Sequence, residues 1–335
     1  MNSLNNGLVN LGNTCYMNSA IQCLTNLLVF NQRNDKFMED ISKRKKDNDE
    51  ELMVEWINLQ QKLIEDDKIV NPIEFLKCFM SKINKYGFYF ESFQQNDCEE
   101  FITRLIELLH KSIERKITFQ IDGIPQNNMD KLAIKAMNTW KNFFESNYSY
   151  IINKTYSQLL AVTSCTNCDY VSTNHEPILV ISLEIKDEFT KIEDCIENHI
   201  KMDKLDKDNL WKCDKCNKKI QPERKLVFWN LSDILIIQLK RFTNTGKKKN
   251  NNINYSELLN MEKYTINYAE KDTVYKLMGI CIQEGSLNGG HYYAICRNEL
   301  NNKWYKYNDS NVSEVNKKDV FNYKPYCLFY KLVNF

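Results

Sequence analysis

Cys15 is the first residue of the chain whose type and position could support catalysis. It follows Gly12-Asn13-Thr14 and precedes an apolar segment with helix-forming residues. Gly12 and Asn13 favour a turn, and Asn13 or Thr14 can cap a helix that runs from residue 16 to about residue 30. The N–H groups at a helix N-terminus favour an anion, so a thiolate there has a lowered pKa and is a usable nucleophile. The same pattern also fits a small buried cysteine that begins a helix.

His291 is the histidine best placed to serve Cys15 as a base. It follows Gly289-Gly290 and begins a predicted strand, and the next predicted strand ends in Asn308-Asp309. A hairpin that turns near residues 299–300 places Asn308 opposite His291, to within one residue. Opposed side chains lie roughly 5 Å apart at Cβ, so an amide there can orient the imidazole as the third member of a triad does. The alternative is a structural histidine, which is how we interpret His110, His175 and His199.

Four cysteines form two C-x2-C pairs separated by a long insert. Two such knuckles supply the four sulfurs that zinc binds tetrahedrally, and a closed four-cysteine site is structural rather than catalytic. A redox dithiol would not need the second pair and would be expected in a βαβ context. Four unrelated core cysteines remain the other alternative. The predicted ligands are Cys165, Cys168, Cys213 and Cys216.

The composition restricts the class of protein. The 335 residues are 43% apolar, which suits one large or two ordinary globular domains. A net charge of +1 provides no field to attract nucleic acid or an anionic membrane, and the apolar runs are too short to cross a bilayer. The first six residues show no signal peptide. We therefore expect a monomeric intracellular protein, cytoplasmic and/or nuclear, with its 12 cysteines mostly reduced.

The spacing of apolar residues changes from helical to strand-like near residue 154. Further helices are predicted over residues 52–64, 72–83, 97–115 and 130–144. Strands are predicted over residues 156–162, 170–185, 275–283, 291–297, 304–308 and 325–333, with two more in 227–242 broken at 231–233. Helices first and strands afterwards favour an α+β fold over alternating βαβ units.

Two stretches around these candidate residues resemble motifs of the ubiquitin-specific proteases. Residues 7–18 (GLVNLGNTCYMN) resemble the cysteine box of that family. Residues 289–292 (GGHY), followed by residues 304–310 (WYKYNDS), resemble its histidine box.

Three further features extend the resemblance along the chain. Residues 95–101 (QNDCEEF) resemble the family's Gln-x-Asp box, with Cys98 where many members carry Ala. Residues 235–242 (LIIQLKRF) resemble another family strand, and the two cysteine pairs resemble its zinc-bearing fingers. Five motifs in family order are far more specific than any one of them.

The resemblance implies a papain-like cysteine protease fold with a helical thumb, a β-rich palm and zinc-bearing fingers. We expect residues 1–335 to form a single catalytic domain. Within it, residues 1–150 would be the thumb, residues 155–230 the fingers with adjoining palm strands, and residues 231–335 the palm. The implied partners are ubiquitin and ubiquitinated proteins, and the implied cofactor is structural zinc.

The resemblance also implies the chemistry of a thiol-dependent deubiquitinase. Cys15 would attack the carbonyl of ubiquitin's C-terminal glycine, and His291 would take the thiol proton and later protonate the leaving amine. Asn308 would orient His291, with support from Asp309. Asn10 matches the family position that helps form the oxyanion hole. The implied substrate-binding residues are Gln95, Asp97, Glu100, Gly289 and Gly290.

Two loops, residues 243–254 and 284–289, resemble the loops that border the channel for the ubiquitin tail. Both are expected to be mobile, which would leave the free enzyme partly closed. Three alternatives stay open: a non-catalytic ubiquitin-binding relative, a protease for a ubiquitin-like modifier, and a structural zinc module. The last would leave the pattern of Cys15, His291 and Asn308 unexplained.

Overall fold

A computed structural model gives the structure of residues 6–28, 50–65, 69–88, 90, 94–204, 210–286 and 289–333. The helices are concentrated before residue 156, and two more lie in the strand-rich part. They are α1 (Cys15–Thr25), α2 (Glu51–Glu65), α3 (Ile73–Lys85), α4 (Cys98–Ile113), α5 (Asn128–Phe144), α6 (Tyr150–Thr155), α7 (Ile192–Ile200) and α8 (Lys317–Val320).

The helix predictions after Cys15 are confirmed to within two residues at each end. Helix α1 ends at Thr25, before the predicted end near residue 30, which lies outside the described residues. Helix α7 was not predicted, because a nine-residue helix between strands leaves little periodic signal. The early helices and late strands confirm the α+β class.

The strands begin after α6. They are β1 (Ser157–Ser164), β2 (Val171–Ile178), β3 (Val180–Glu184), β4 (Asp203–Lys204), β5 (Trp211–Lys212), β6 (Lys219–Ile220), β7 (Glu223–Asn230), β8 (Ile234–Lys240), β9 (Leu258–Asn260), β10 (Val274–Gly285), β11 (Gly290–Arg297), β12 (Trp304–Asn308), β13 (Asn311–Val315) and β14 (Pro325–Leu332). The strand predicted over residues 170–185 is divided at Leu179, because β2 pairs with β1 whereas β3 pairs with β8.

The large sheet has the order β13-β12-β11-β10-β14-β8-β3, and β9 also pairs with β10. Its pairs are antiparallel except for β3 with β8. A separate four-stranded sheet has the order β2-β1-β7-β4, and β5 pairs with β6. The cysteine pairs lie at this second part of the molecule, and His291 lies in the large sheet.

Helix α1 joins the helical part to the large sheet. All 11 of its residues are buried, because it packs on β10, β11 and β12 on one side and on α4 on another. The apolar face of α4 is fully buried, as its helical spacing predicts, with Phe101, Leu105 and Leu109 at 0% exposure. This packing holds the N-terminus of α1, and therefore Cys15, against the strand that carries His291.

Candidate active site

Cys15 is the first residue of α1, directly after a sharp turn. Gly12 and Asn13 both have positive φ, at 101° and 55°, which confirms the predicted turn. Thr14 holds the N-cap position without a side-chain capping bond. The Cys15 side chain is 2% exposed, and its Sγ accepts a hydrogen bond from the backbone N–H of Tyr292 in β11 (3.5 Å).

The surroundings of Cys15 raise the pKa of its thiol. Burial is the main cause and the negative charge of Asp309 adds to it, whereas the N–H of Tyr292 opposes them. The predicted lowering of this pKa is therefore wrong for the free protein, because desolvation of the thiolate outweighs the helix N-terminus. Cys15 rests as a thiol and needs a base to become a nucleophile.

His291 and Asn308 form the hydrogen bond that the sequence predicts. The His291 Nε2 to Asn308 Oδ1 distance is 2.5 Å. Because an amide oxygen only accepts, Nε2 carries the proton in this pair, and a neutral ring with that proton has its lone pair on Nδ1. That tautomer can receive a proton from a thiol on the Nδ1 side.

The register of the hairpin differs from the predicted one. Strand β11 pairs with β12 through Ala294 opposite Tyr307 and Arg297 opposite Trp304. Extending this register places Asn308 opposite Tyr293 rather than His291, two positions from the prediction. The His291–Asn308 contact is therefore diagonal, and these two side chains still reach each other because diagonal neighbours on one face lie within reach of longer side chains.

Asp309 contacts the nucleophile's helix and the candidate oxyanion residue. Its Oδ2 accepts from Asn10 Nδ2 (2.9 Å) and its Oδ1 accepts from Asn18 Nδ2 in α1 (2.8 Å). Its backbone carbonyl accepts from the N–H of Leu8 (3.0 Å). In the described part of the chain, the Asp309 carboxylate makes no hydrogen bond to His291. The support for Asn308 that we expect from Asp309 therefore does not come from a hydrogen bond to His291.

The Asn10 side chain is exposed, but both the oxygen and the nitrogen of its amide make hydrogen bonds. Its Oδ1 accepts from the backbone N–H groups of Gly12 (3.0 Å) and Thr14 (3.2 Å), and its Nδ2 donates to Asp309. These contacts place the amide beside the turn that precedes Cys15. The role of Asn10 as an oxyanion donor stays a prediction. Asp309 is the group that would orient the Asn10 amide for this role.

Gln95 connects the segment before α4 to the start of β11. Its Oε1 accepts from the N–H of Gly290 (3.0 Å) and its Nε2 donates to the carbonyl of Gly290. This two-point contact fixes the backbone one residue before His291. Gly289 is exposed next to it. For both glycines and for Gln95, contact with substrate stays a prediction.

Asp97 has a structural role that the sequence did not predict. Its Oδ1 caps α4 by accepting from the N–H groups of Glu99 (2.7 Å) and Glu100 (3.4 Å). Its Oδ2 accepts from the hydroxyl of Tyr326 in β14. Both oxygens therefore have partners within the chain, whereas the Glu100 side chain is exposed. Substrate binding by either acid stays a prediction.

The four cysteines of the two C-x2-C pairs come together, and their sulfurs all lie within 4.8 Å of one another. The Sγ atoms of Cys165 and Cys216 are 3.9 Å apart, and those of Cys168 and Cys213 are 3.7 Å apart. A tetrahedral zinc with Zn–S bonds of about 2.3 Å requires sulfurs about 3.8 Å apart. The cluster therefore has the geometry to bind a metal ion.

The lysines near this cluster are engaged in specific contacts. Lys215 pairs with Asp169 (2.5 Å), and Lys218 donates to the side-chain carbonyl of Asn167 (3.1 Å) between the two cysteines of the first pair. The backbone N–H of Asn167 donates to Cys165 Sγ (3.4 Å). Backbone donors and neighbouring cations of this kind stabilise thiolate ligands.

The two loops expected to border a channel are joined by Lys248. Its Nζ donates to the carbonyls of Gln283 (2.6 Å) and Gly285 (3.2 Å), which ties residues 243–250 to the end of β10. The sequence did not predict this contact. Residues 287–288 of the second loop lie outside the described residues.

The remaining histidines lie in packed surroundings, as interpreted from the sequence. His110 contacts Ser149 Oγ (2.8 Å), His175 packs edge-on against Trp229, and His199 stacks on Phe228. Burial is the main cause that lowers the pKa of His110 and of His175 to about 4. Both are therefore neutral at neutral pH.

Asn18 is the site residue that sequence reasoning missed. It is buried on α1 (2% exposed) and connects Asp309 to the helix of Cys15. The available signal was a polar side chain three residues after Cys15, at the last position of the motif that resembles the cysteine box. Buried amides need hydrogen-bond partners, and that requirement could have marked it.

Comparisons with known proteins show which family this chain is similar to. Residues 6–330 match the family model described as ubiquitin carboxyl-terminal hydrolase. Ubiquitin carboxyl-terminal hydrolase 2 of Bos taurus is 30% identical over 346 residues, covering 98% of this chain and 55% of the relative. Usp2 of Drosophila melanogaster is 29% identical and covers 97% of this chain and 34% of the relative. The chain thus spans about half or less of the length of these relatives.

Solved structures show the same architecture. The chain superposes on a SAGA DUB module of Ubp8, Sgf11, Sus1 and Sgf73 bound to monoubiquitin, with a TM-score of 0.73 and 25% identity. The match covers 99% of this chain and 70% of that one. The same module bound to ubiquitin aldehyde gives a TM-score of 0.72 at 25% identity, with coverage of 99% and 70%.

Proposed function

The chain belongs to the ubiquitin carboxyl-terminal hydrolase family, in its ubiquitin-specific protease group, and from this premise we propose that it is a thiol-dependent deubiquitinase. It would hydrolyse the bond after the C-terminal glycine of ubiquitin. The observation that carries the proposal is that α1, β11 and β12 bring Cys15, His291 and Asn308 to one place. The Cys15 end of α1 contacts β11, and β11 carries His291 in a hydrogen bond to Asn308.

The chemistry follows from the protonation states of these groups. His291, with its proton on Nε2, takes the Cys15 proton on Nδ1, and the thiolate attacks the glycine carbonyl. The resulting imidazolium protonates the leaving amine as the C–N bond breaks, which leaves a thioester. A water that loses its proton to His291 then attacks the thioester carbonyl, and Cys15 leaves with that proton restored.

The oxyanion that forms in each attack needs donors close to Cys15. The Cys15 backbone N–H, at the start of α1, and the Asn10 Nδ2 are the candidates. The four orphan N–H groups at a helix start make such a donor available. The contact between Asp309 and Asn10 supports a fixed position for this amide.

We also propose that the four-cysteine cluster holds a structural zinc. The sulfur distances match a tetrahedral site, and a site closed by four thiolates leaves no position for catalysis. Cys165, Cys168, Cys213 and Cys216 would be the ligands. The ion would tie the loop between β1 and β2 to the loop between β5 and β6.

The wider organisation is proposed on the same grounds. Residues 1–150 would act as thumb, residues 155–230 as fingers with adjoining palm strands, and residues 231–335 as palm of a monomeric papain-like domain. In the described residues, no helix is both long and apolar enough to cross a membrane. All 12 cysteines are free, which supports a reducing compartment, cytoplasmic and/or nuclear. The proposed partner is ubiquitin, alone or conjugated, and not nucleic acid.

A ubiquitin probe with a C-terminal electrophile tests the activity directly. Under reducing conditions at neutral pH, we expect one covalent ubiquitin adduct by intact mass, and peptide mapping should place it on Cys15. Cys15→Ala should abolish the adduct, and Cys78→Ala should keep it. Cys78 is the matched control because it is part-exposed and not at the site. No adduct with the wild-type protein would remove the proposal, and an adduct with only a ubiquitin-like probe would change its substrate.

A further inference from the structure

A cavity of about 730 Å³ lies between the two loops near His291. Its wall is formed by four residues of the first loop region, the end of β10, Ser286, Tyr293 and residues 322–324; the four are Arg241, Gly246, Lys248 and Asn250. The basic side chains in this wall are Arg241, Lys248 and Lys324, and the acidic one is Glu284. The cavity therefore carries an excess of positive charge, although the whole chain is nearly neutral.

Arg241 is a buried cation with incomplete hydrogen bonding. It is 1% exposed. Its Nε donates to the carbonyl of Pro325 (2.6 Å), and its Nη1 donates to the carbonyls of Lys249 (3.3 Å) and Asn251 (3.1 Å). Its Nη2 has no partner, and no carboxylate in the described ranges lies within ion-pair distance of it. A buried charge without a counter-ion is costly, and here burial lowers the pKa of Arg241 to about 10.

The two lysines are likewise held by uncharged oxygens. Lys248 donates to the carbonyls of Gln283 and Gly285, and Lys324 donates to the carbonyl of Asn250 (2.8 Å). Burial and then the charge of Arg241 lower the pKa of Lys248. Glu284 is engaged by the hydroxyl of Tyr293 (2.6 Å). Three cations thus share one cavity with a single carboxylate.

We propose that this cavity binds a phosphate-class dianion, held by Arg241, Lys248 and Lys324. A phosphate offers several oxygens to a guanidinium and to two ammonium groups, and charge-assisted bonds of this kind are strong in a partly desolvated cavity. The ligand would relieve the uncompensated charge of Arg241. Its source is either free phosphate or a phosphorylated side chain, and both present the same group.

Occupancy of this site would act on the two loops. Lys248 joins them through the carbonyls of Gln283 and Gly285, and a bound dianion competes for the same Nζ. Binding should therefore loosen the connection between residues 243–250 and the end of β10. This proposal does not depend on the proposed deubiquitinase activity, because it is tested by binding.

Isothermal titration calorimetry on the full chain tests the site. Inorganic phosphate, a phosphoserine peptide and the unphosphorylated twin of that peptide are titrated at constant ionic strength near pH 7.5, where a phosphomonoester is dianionic. We expect saturable binding at one site by phosphate or the phosphopeptide and none by the twin. Tighter binding of the phosphopeptide than of phosphate identifies a protein-borne source, and the reverse identifies free phosphate.

Matched charge-removing variants assign the binding to the cavity. Lys248→Gln and Lys324→Gln should each weaken the affinity about tenfold, as loss of one charge-assisted contact does. Lys225→Gln should leave it unchanged, because Lys225 is exposed on β7 in the other sheet. Arg241 is left intact, since a substitution inside the core would threaten folding. The proposal is overturned if neither phosphate nor the phosphopeptide binds, or if Lys225→Gln weakens binding as much as the cavity variants.

Discussion

Replacing Asp309 by asparagine separates two roles that this residue could have in catalysis. Its carboxylate accepts one hydrogen bond from Asn10 and one from Asn18, and it makes no hydrogen bond to His291 in the described structure. Asparagine keeps one acceptor oxygen but turns an NH2 group toward one of the two amides. One of the two bonds is therefore replaced by a donor facing a donor, and the other becomes a neutral hydrogen bond without charge assistance.

The size of the effect follows from this loss. A hydrogen bond to a charged group contributes about 1.5–3 kcal/mol, and the exposed position of Asn10 favours the low end of that range. If the Asn10 amide loses its support, about 1.5 kcal/mol of transition-state stabilisation corresponds to about a tenfold fall in kcat/KM. The variant also removes a charge that raises the pKa of Cys15, so the rate of thiol alkylation should rise at lower pH than in the wild type.

A double-mutant cycle on ubiquitin–fluorophore hydrolysis tells whether Asp309 acts through Asn10. Asp309→Asn and Asn10→Ala should be strongly non-additive, because the second change removes the group that the first one misplaces. Asp309→Asn and Asn308→Ala should be close to additive. The reverse pattern would refute the reasoning, because it would show that Asp309 acts on the His291–Asn308 pair. Alkylation profiles that coincide for wild type and Asp309→Asn would refute the electrostatic part.

Three further predictions concern stability. Metal analysis of protein purified without chelator should give about one zinc per chain. Cys213→Ser should lower both the zinc content and the Tm. Full zinc content in that variant would exclude the four-cysteine site. The pKa of His175 is lowered to about 4 in the folded chain, so the unfolded chain binds more protons between about pH 6.5 and pH 4. The urea midpoint of unfolding should therefore fall as the pH is lowered through this range, and it should fall less steeply in His175→Phe. An equal pH dependence of the midpoint in the two proteins would contradict this. Asp97→Ala should destabilise the protein by about 1 kcal/mol or more in urea unfolding through loss of the α4 cap, and an unchanged midpoint would deny the capping role.

Much of the local structure was predictable because it depends on short-range patterns. The bounds of α4 follow from apolar residues that recur every three or four positions, and the break between β7 and β8 follows from residues 231–233. The approach of the four cysteines was predictable as well, since each C-x2-C pair is a local unit with a known use. Helix α7 and the division of the 170–185 strand were not, because short elements and the choice of strand partner depend on contacts far along the chain.

The sequence by itself determined which residues could form the catalytic group: a cysteine at a turn, a histidine after two glycines, and an asparagine at the end of the next strand. Only the tertiary structure decided how these groups behave. Burial, which no local pattern encodes, raises the pKa of Cys15 where the helix N-terminus alone would lower it. The actual strand register makes the His291–Asn308 contact diagonal, and the long-range packing of α1 assigns Asp309 to Asn10 and Asn18 instead of His291.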